Sequence, residues 1–255
     1  MIRFIKNILD IKNLLGIIRS TIYLHTYGNN VRLRLSCTGL IKISYIESGV
    51  THTDYYTDLQ NTDISFTTDA YTTVTIIGYV TALTVLSTGQ IDAIDLTRCT
   101  SLEVIQAQYL PITEIDISKC KRLKFVNITS NPNLESITIG ELPELHTLFL
   151  NIQPLLMDID VSGCPSLQNI TAGLTGISEI DLTANPLLHN ATFGGSTNLT
   201  TIRCLAINQY CANSIATSIQ QNSGNAGTVY CNPADPYYST IATAATNYGW
   251  TILPL

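Results

Sequence analysis

The chain writes IDAIDLTRC at Ile91, ITEIDISKC at Ile112, LMDIDVSGC at Leu156 and ISEIDLTAN at Ile177. This recurrence constrains the fold more than any other feature, because a unit of some 21 or 22 residues is too short to bury its own apolar face. Six such units open at Val80, Leu102, Leu123, Leu145, Leu167 and Leu188, with apolar residues at offsets 0, 3 and 5, then near 10 or 11, 14 and 16. Each unit carries two strand-like segments, LxxLxL and IxxIDLS. Stacking the units predicts two parallel sheets set back to back, with the apolar residues filling the space between.

The period and pattern point to a leucine-rich-repeat solenoid. Asn131, at offset 8 of the unit opening at Leu123, matches the asparagine of that motif, and the other units put Thr88, Leu110, Gln153, Thr175 and Ser196 there. In the second segment Asp95, Asp116, Asp160 and Asp181 form a column, with Thr138 and Arg203 in its third and sixth places. Adjacent rungs lie about 4.8 Å apart, so like charges repel. Either a calcium ion relieves the column or the carboxylates bond to neighbouring Ser, Thr or backbone N–H groups; the absence of a Gly-Asp calcium loop favours the second. Cys99, Cys120 and Cys164 share one repeat position with Leu142 and Asn185, which predicts a small buried site. Seven cysteines with no CxxC pair and no recognisable signal peptide predict reduced thiols and no zinc.

The flanks read differently. TIYLHTY, VRLRLSC, IKISYIE and TTVTIIGYV alternate or run β-branched, separated by GNN, TG and ESG, which predicts a small β-sandwich over residues 20–79. Beyond residue 208, YCANSIATSIQQN reads as a helix, GTVYC as a strand, DPYYSTIATAATNYG as a helix and WTILP as a strand. Asp235 is the expected N-cap of the second helix, with Pro236 at N1 and Gly249 beyond its end. This α/β unit, residues 209–255, would cover the open end of a solenoid spanning 80–208.

Residues 1–19 place Phe4, Ile8, Ile11, Leu15 and Ile18 at spacings of 4, 3, 4 and 3, an amphipathic helix with a short heptad seam. Such a helix docks on its own domain, joins copies (Ile-rich seams favour trimers), attaches to a partner or lies on a membrane surface. Lys6, Asp10 and Lys12 interrupt the apolar run, so neither a signal peptide nor a spanning helix is predicted.

RLRLSCTGLIKISYIESG and DAYTTVTIIGYVTAL, followed by the repeats and a closing YGWTI, resemble the polycystic-kidney-disease-like, immunoglobulin-type modules of Bacteroidetes and phage leucine-rich-repeat proteins and their C-terminal units. Tyr45-Ile46-Glu47-Ser48-Gly49 stands where that family carries a Trp-Gly-Asp-Gly type turn. The resemblance implies a mainly β protein with a leucine-rich-repeat-like β-solenoid and an α/β C-terminal cap. It also implies a non-enzymatic virion component, in a head or tail fibre or a decoration protein, bound to other virion proteins through residues 1–19. A bacterial surface adhesin and a cytoplasmic scaffold are the alternatives.

A net charge of −6 argues against a nucleic-acid partner. Scattered histidines and the lack of P-loop, GxSxG or GxGxxG motifs predict neither a catalytic site nor a cofactor. The outward positions of the LxxLxL segments, by contrast, are uncharged and rich in amides: Gln106, Gln108, Asn127, Asn151 and Asn169 surround Phe125 and Phe149. This face is the candidate binding site for a host-surface glycan or protein, with the two phenylalanines as anchors.

Overall fold

The computed structural model describes residues 20–26, 30–86, 90–206 and 208–255. Phe4, Ile8, Ile11, Leu15 and Ile18 of the expected attachment helix lie outside the described residues, as does Thr88. The protein is mainly β, with two helices near its C-terminal end.

The LxxLxL segments form six parallel strands. The end of β5 (Thr72–Val85) pairs with β7 (Val104–Gln106), which pairs in turn with β9 (Phe125–Asn127), β11 (Thr147–Phe149), β12 (Asn169–Thr171) and β14 (Asn190–Thr192). The register aligns the offset-3 residues Leu83, Ile105, Val126, Leu148, Ile170 and Ala191 in one row. Leu102, Leu123, Leu145 and Leu167, three residues earlier in each unit, are fully buried. Apolar residues at offsets 0, 3 and 5 thus form the inner wall, and burying each one stabilises the fold by about 1.5–3 kcal/mol.

The second segments line the other side: β6 (Ile91–Arg98), β8 (Glu114–Asp116), β10 (Ser136–Thr138), β13 (Glu179–Asp181) and β15 (Thr201–Cys204). Pairing there is interrupted: among the described residues β8 joins only β10, and β13 joins β15.

One corner of each of the five rungs opening at Leu102, Leu123, Leu145, Leu167 and Leu188 depends on a left-handed residue. Tyr109, Ser130, Ile152, Leu174 and Gly195, all at offset 7, have φ between 57° and 73°. Only the last is glycine, so the corner is nearly invisible in the sequence; for a side-chain-bearing residue this conformation costs about 1–2 kcal/mol. Backbone bonding offsets the strain: the N–H groups of Ser130, Ile152 and Leu174 donate to the carbonyls of Asn151, Gly173 and Gly194 at 2.9, 2.9 and 3.0 Å, carrying the parallel ladder round the bend.

The next residue turns inward, and at this position, where the sequence has a single asparagine, the chemistry is mixed. Asn131 accepts from Leu110 N–H (2.7 Å) and donates to the carbonyls of Ala107 (2.8 Å) and Ile128 (2.9 Å). Gln153 donates to Ile128 O, Thr175 Oγ1 to Ala172 O (2.7 Å) and Ser196 Oγ to Ala172 O (3.1 Å). All four are buried. Any donor that reaches a corner carbonyl of its own or the preceding rung satisfies the bend.

The antiparallel region departs from the sequence reading in two ways. VRLRLSC and IKISYIE are one strand, β2 (Asn30–Glu47), running through the Thr38-Gly39 signal. Gly39 (φ 70°) makes a bulge there, with the register to β5 shifting between Thr38 and Lys42, and Asp58 Oδ1 accepts its N–H at 2.7 Å. The strands also belong to the same 11-stranded sheet as the parallel ladder instead of forming a separate two-sheet body. β5 is the shared element, crossing the expected boundary at residue 79. β1 (Thr21–Thr26) lies antiparallel between β5 and β6, so it bridges the first strands of the two sides and closes that end of the core. β3 (Val50–Thr57) and β4 (Thr62–Thr67) lie end to end along the other side of β2. Gly78 (φ 148°) tolerates no side chain: a Cβ would stand 2.6 Å from Ile41 Cγ2 and 2.9 Å from Leu40 O.

At the opposite end the repeat continues in altered form. β15, β16 (Thr228–Cys231) and β17 (Thr251–Leu253) extend the second side in parallel register, while the helix α1 (Gln209–Gln221) takes the place of a further LxxLxL strand beside β14. Its side chains meet the open strand edge. Ser214 and Ser218 accept the N–H groups of Ala191 (2.9 Å) and Phe193 (3.0 Å), and Asn222 donates to Phe193 O (3.0 Å). Asn208 caps α1, accepting from Cys211 N–H. The expected Asp235 cap is wrong: α2 (Tyr238–Asn247) begins after Tyr237 with no side-chain cap, because Asp235 is turned to Ala206 N–H (2.9 Å). A half-buried long-range link outcompeted a local helix start.

Candidate functional site

The parallel register builds the expected face row by row. Val104, Phe125, Thr147, Asn169 and Asn190 form one outward row, and Gln106, Asn127, Phe149, Thr171 and Thr192 the next. Phe125 and Phe149 sit diagonally and meet edge to face, with centroids 5.6 Å apart at 83°. Both are half-buried, so a ligand reaches ring surface without the rings having to emerge from the core.

The amides divide into two kinds. Asn151 is engaged by the protein, accepting from Gly173 N–H (2.8 Å) and donating to Thr171 Oγ1 (2.7 Å), and Asn127 accepts from Thr129 N–H (3.2 Å). These two brace the corner. Gln106 makes only a long contact to Thr84 (3.4 Å), and the side chains of Gln108 and Asn169 bond to no other described residue. Gln106, Gln108 and Asn169 are therefore the amides with donors and acceptors to offer. An ion-pair cluster borders the face: Glu103 meets Arg122 (3.0 Å) and Lys124 (2.9 Å), which hold its carboxyl below the usual range, Lys124 foremost.

The opposite side carries the aspartates, and each is locally satisfied. Asp95 Oδ1 accepts the N–H (2.8 Å) and hydroxyl (2.6 Å) of Thr97, and Asp181 Oδ1 those of Thr183 (2.9 and 2.6 Å). Asp116 accepts Ser118 N–H (2.8 Å) and Asp160 accepts Ser162 N–H (2.9 Å). The Ser162 hydroxyl and N–H hold the Asp160 carboxyl below its ordinary value. Repulsion is further relieved because Thr138 pairs with Asp116 and Arg203 with Asp181, while the Arg203 guanidinium lies 3.3 Å from Glu179. The column is thus a set of turn-forming carboxylates, and among the described residues no group of three or more His, Cys, Asp or Glu is placed to hold a metal ion. Two depressions on this side escaped the sequence reading: about 390 Å³ beside Asp158, Asp160, Asp181 and Arg203, and about 500 Å³ beside Asp95, Glu114, Asp116 and Thr138. They arise where strand pairing lapses, which the repeat pattern does not encode.

All seven cysteines are free and buried. Cys99 and Cys120 occupy adjacent rungs, and the neighbouring Cys99 sulfur together with burial pushes the Cys120 thiol well up. Burial raises Cys164 and Cys211 to about 11. Burial thus marks Cys120, Cys164 and Cys211 as packing groups, while the Cys120 sulfur draws the Cys99 thiol the other way, down to about 7.

Neither a scan against protein-family models nor a search of the curated proteins finds a match to this chain.

Proposed function

We propose that the chain is a non-enzymatic binding protein, a leucine-rich-repeat-like β-solenoid whose LxxLxL face holds a glycan or a protein loop. The observation that carries this reading is the Phe125–Phe149 pair, set in two uncharged outward rows beside the amides of Gln106, Gln108 and Asn169, the last two bonded to no other described residue. A ring edge and face beside free amides match the alternating C–H and hydroxyl surfaces of a sugar, and a rigid sheet keeps the ordering cost low. In this reading residues 1–19 attach the protein to a larger assembly or join copies, the antiparallel strands space the face from that attachment, and the assembly is a phage particle. The virion placement rests on the family resemblance of the antiparallel, repeat and terminal segments.

The direct test is binding of the full chain to an oligosaccharide array and to intact bacterial cells. Phe125→Ala and Phe149→Ala should each weaken retention tenfold or more, while both variants still melt cooperatively, a few degrees lower for the lost ring contact. Equal retention by wild type and both variants would remove the face from the proposal. Mass spectrometry of purified virions tests the placement separately.

A further inference from the structure

We propose that β3 is a homotypic interface, through which two copies of the chain pair antiparallel about Thr53 to form a two-fold dimer. The strand is an open edge: among the described residues it pairs with β2 alone. The two-residue turn Ser48-Gly49 closes on the pair Glu47 and Val50, and the same alternation brings Asp58 N–H to Gly39 O at 3.1 Å. Even-numbered residues of β3 therefore bond to β2, and Thr51, Thr53, Tyr55 and Thr57 turn their N–H and C=O groups outward. Natural edges are usually blunted by Pro, Lys or a bulge, and VTHTDYYT contains neither residue and pairs with β2 without a register shift.

The edge is also held ready. Asp69 accepts the N–H groups of Ser48 and Gly49, both at 2.8 Å, fixing the hairpin tip. Tyr45 stacks on His52 with centroids 5.4 Å apart, and its hydroxyl donates to Asp54 at 3.2 Å. Little ordering is left for association to impose.

The choice of a second copy as occupant comes from charge and register. Only registers that set odd positions opposite odd positions join the outward groups. Centring on His52 opposes the two histidines and sets Val50 against Asp54. Centring on Asp54 opposes two carboxylates, and centring on Tyr55 shortens the overlap. Centring on Thr53 sets His52 opposite Asp54 of the second copy, twice by symmetry, Val50 opposite Tyr56, and Thr51 opposite Tyr55. The strand is self-complementary in that register, with about six backbone hydrogen bonds between copies. Val50 and Tyr55, 57% and 49% exposed in the single chain, gain partners. The contact does not depend on the ligand face, so loss of ligand binding would leave it intact, and the reverse holds too.

The test uses the full chain. Across a two-fold axis at Thr53 the Cα atoms stand about 5.5 Å apart, within disulfide reach, whereas the two Thr51 positions are separated by roughly 14 Å. Thr53→Cys should form a disulfide-linked dimer on mild oxidation and Thr51→Cys should not; the native thiols, being buried, give little background. In sedimentation, Thr53→Pro, which removes the outward N–H together with the exposed hydroxyl contact to Ser44 (3.2 Å), should weaken dimerisation at least tenfold. Thr53→Lys serves if the proline variant melts early. His52→Asp should weaken it similarly, and His52→Asp with Asp54→His should restore it. A wild type that stays monomeric at ~0.1 mM, no cross-link in the Thr53→Cys variant, or association through residues 1–19 that is indifferent to Thr53→Pro and Thr53→Lys would each overturn the proposal.

Discussion

Asn131 is the side chain whose removal most directly tests how the rungs are joined. It is fully buried, and its three hydrogen bonds reach two rungs. Ile128 O would keep a donor in Gln153, but Leu110 N–H and Ala107 O have no other partner among the described residues. Orphaning two buried backbone groups costs about 1–3 kcal/mol each, and Asn131→Ala leaves a void as well, for a total of about 3–6 kcal/mol. Asn131→Leu separates the two contributions, because it fills the volume and still strands both groups; it should cost about 2–4 kcal/mol. Urea unfolding followed through Trp250, the single tryptophan and a buried one, reads both variants. Exchange of the Leu110 amide should accelerate in both. If Asn131→Leu unfolds within about 1 kcal/mol of the wild type, the polar column is filler and the argument fails.

Calcium should leave the melting temperature unchanged, because Asp95, Asp116, Asp160 and Asp181 are already satisfied by their own turns; a rise of several degrees at millimolar calcium would contradict that. Asp58, Asp63, Glu103 and Asp160 are held below their ordinary values, so their stabilisation is complete above the unfolded carboxylate range and is lost as pH falls through the lower folded values. Stability should therefore drop below about pH 4, and a flat acid profile would count against these hydrogen bonds. The thiols should resist alkylation in the folded protein and react, all seven, once it is unfolded; a rapidly labelled native cysteine or an intramolecular disulfide formed without reductant would refute their burial or their reduced state.

The repeat itself was legible because its cause is local and recurs: offsets 0, 3 and 5 must be apolar in every unit, and a periodic rule survives substitution at any one position. The outward rows, including Phe125, Phe149 and Asn169, followed from the same offsets, since side chains alternate across a strand. The two helices near the C-terminal end and the turn at Ser48-Gly49 were likewise readable, the second helix from Pro236 and Gly249 at its ends and the turn from the Glu47-Ser48-Gly49 signal.

Other features depended on contacts between distant segments. Thr38-Gly39 is a bulge and not a turn because β5 and Asp58 hold both halves of β2 in line. Asp235 serves Ala206 instead of α2, and Ile152 and Leu174 accept a left-handed backbone because the next rung bonds their N–H groups. The division of amides into braced (Asn127, Asn151), loosely held (Gln106) and unbonded to any described residue (Gln108, Asn169) emerged only once the corners were formed. The sequence alone determined which residues face the core and how often the chain turns. The tertiary structure decided where each backbone polar group finds its partner, because burial must satisfy every such group and the partner that does so comes from another rung, at a separation no local pattern records.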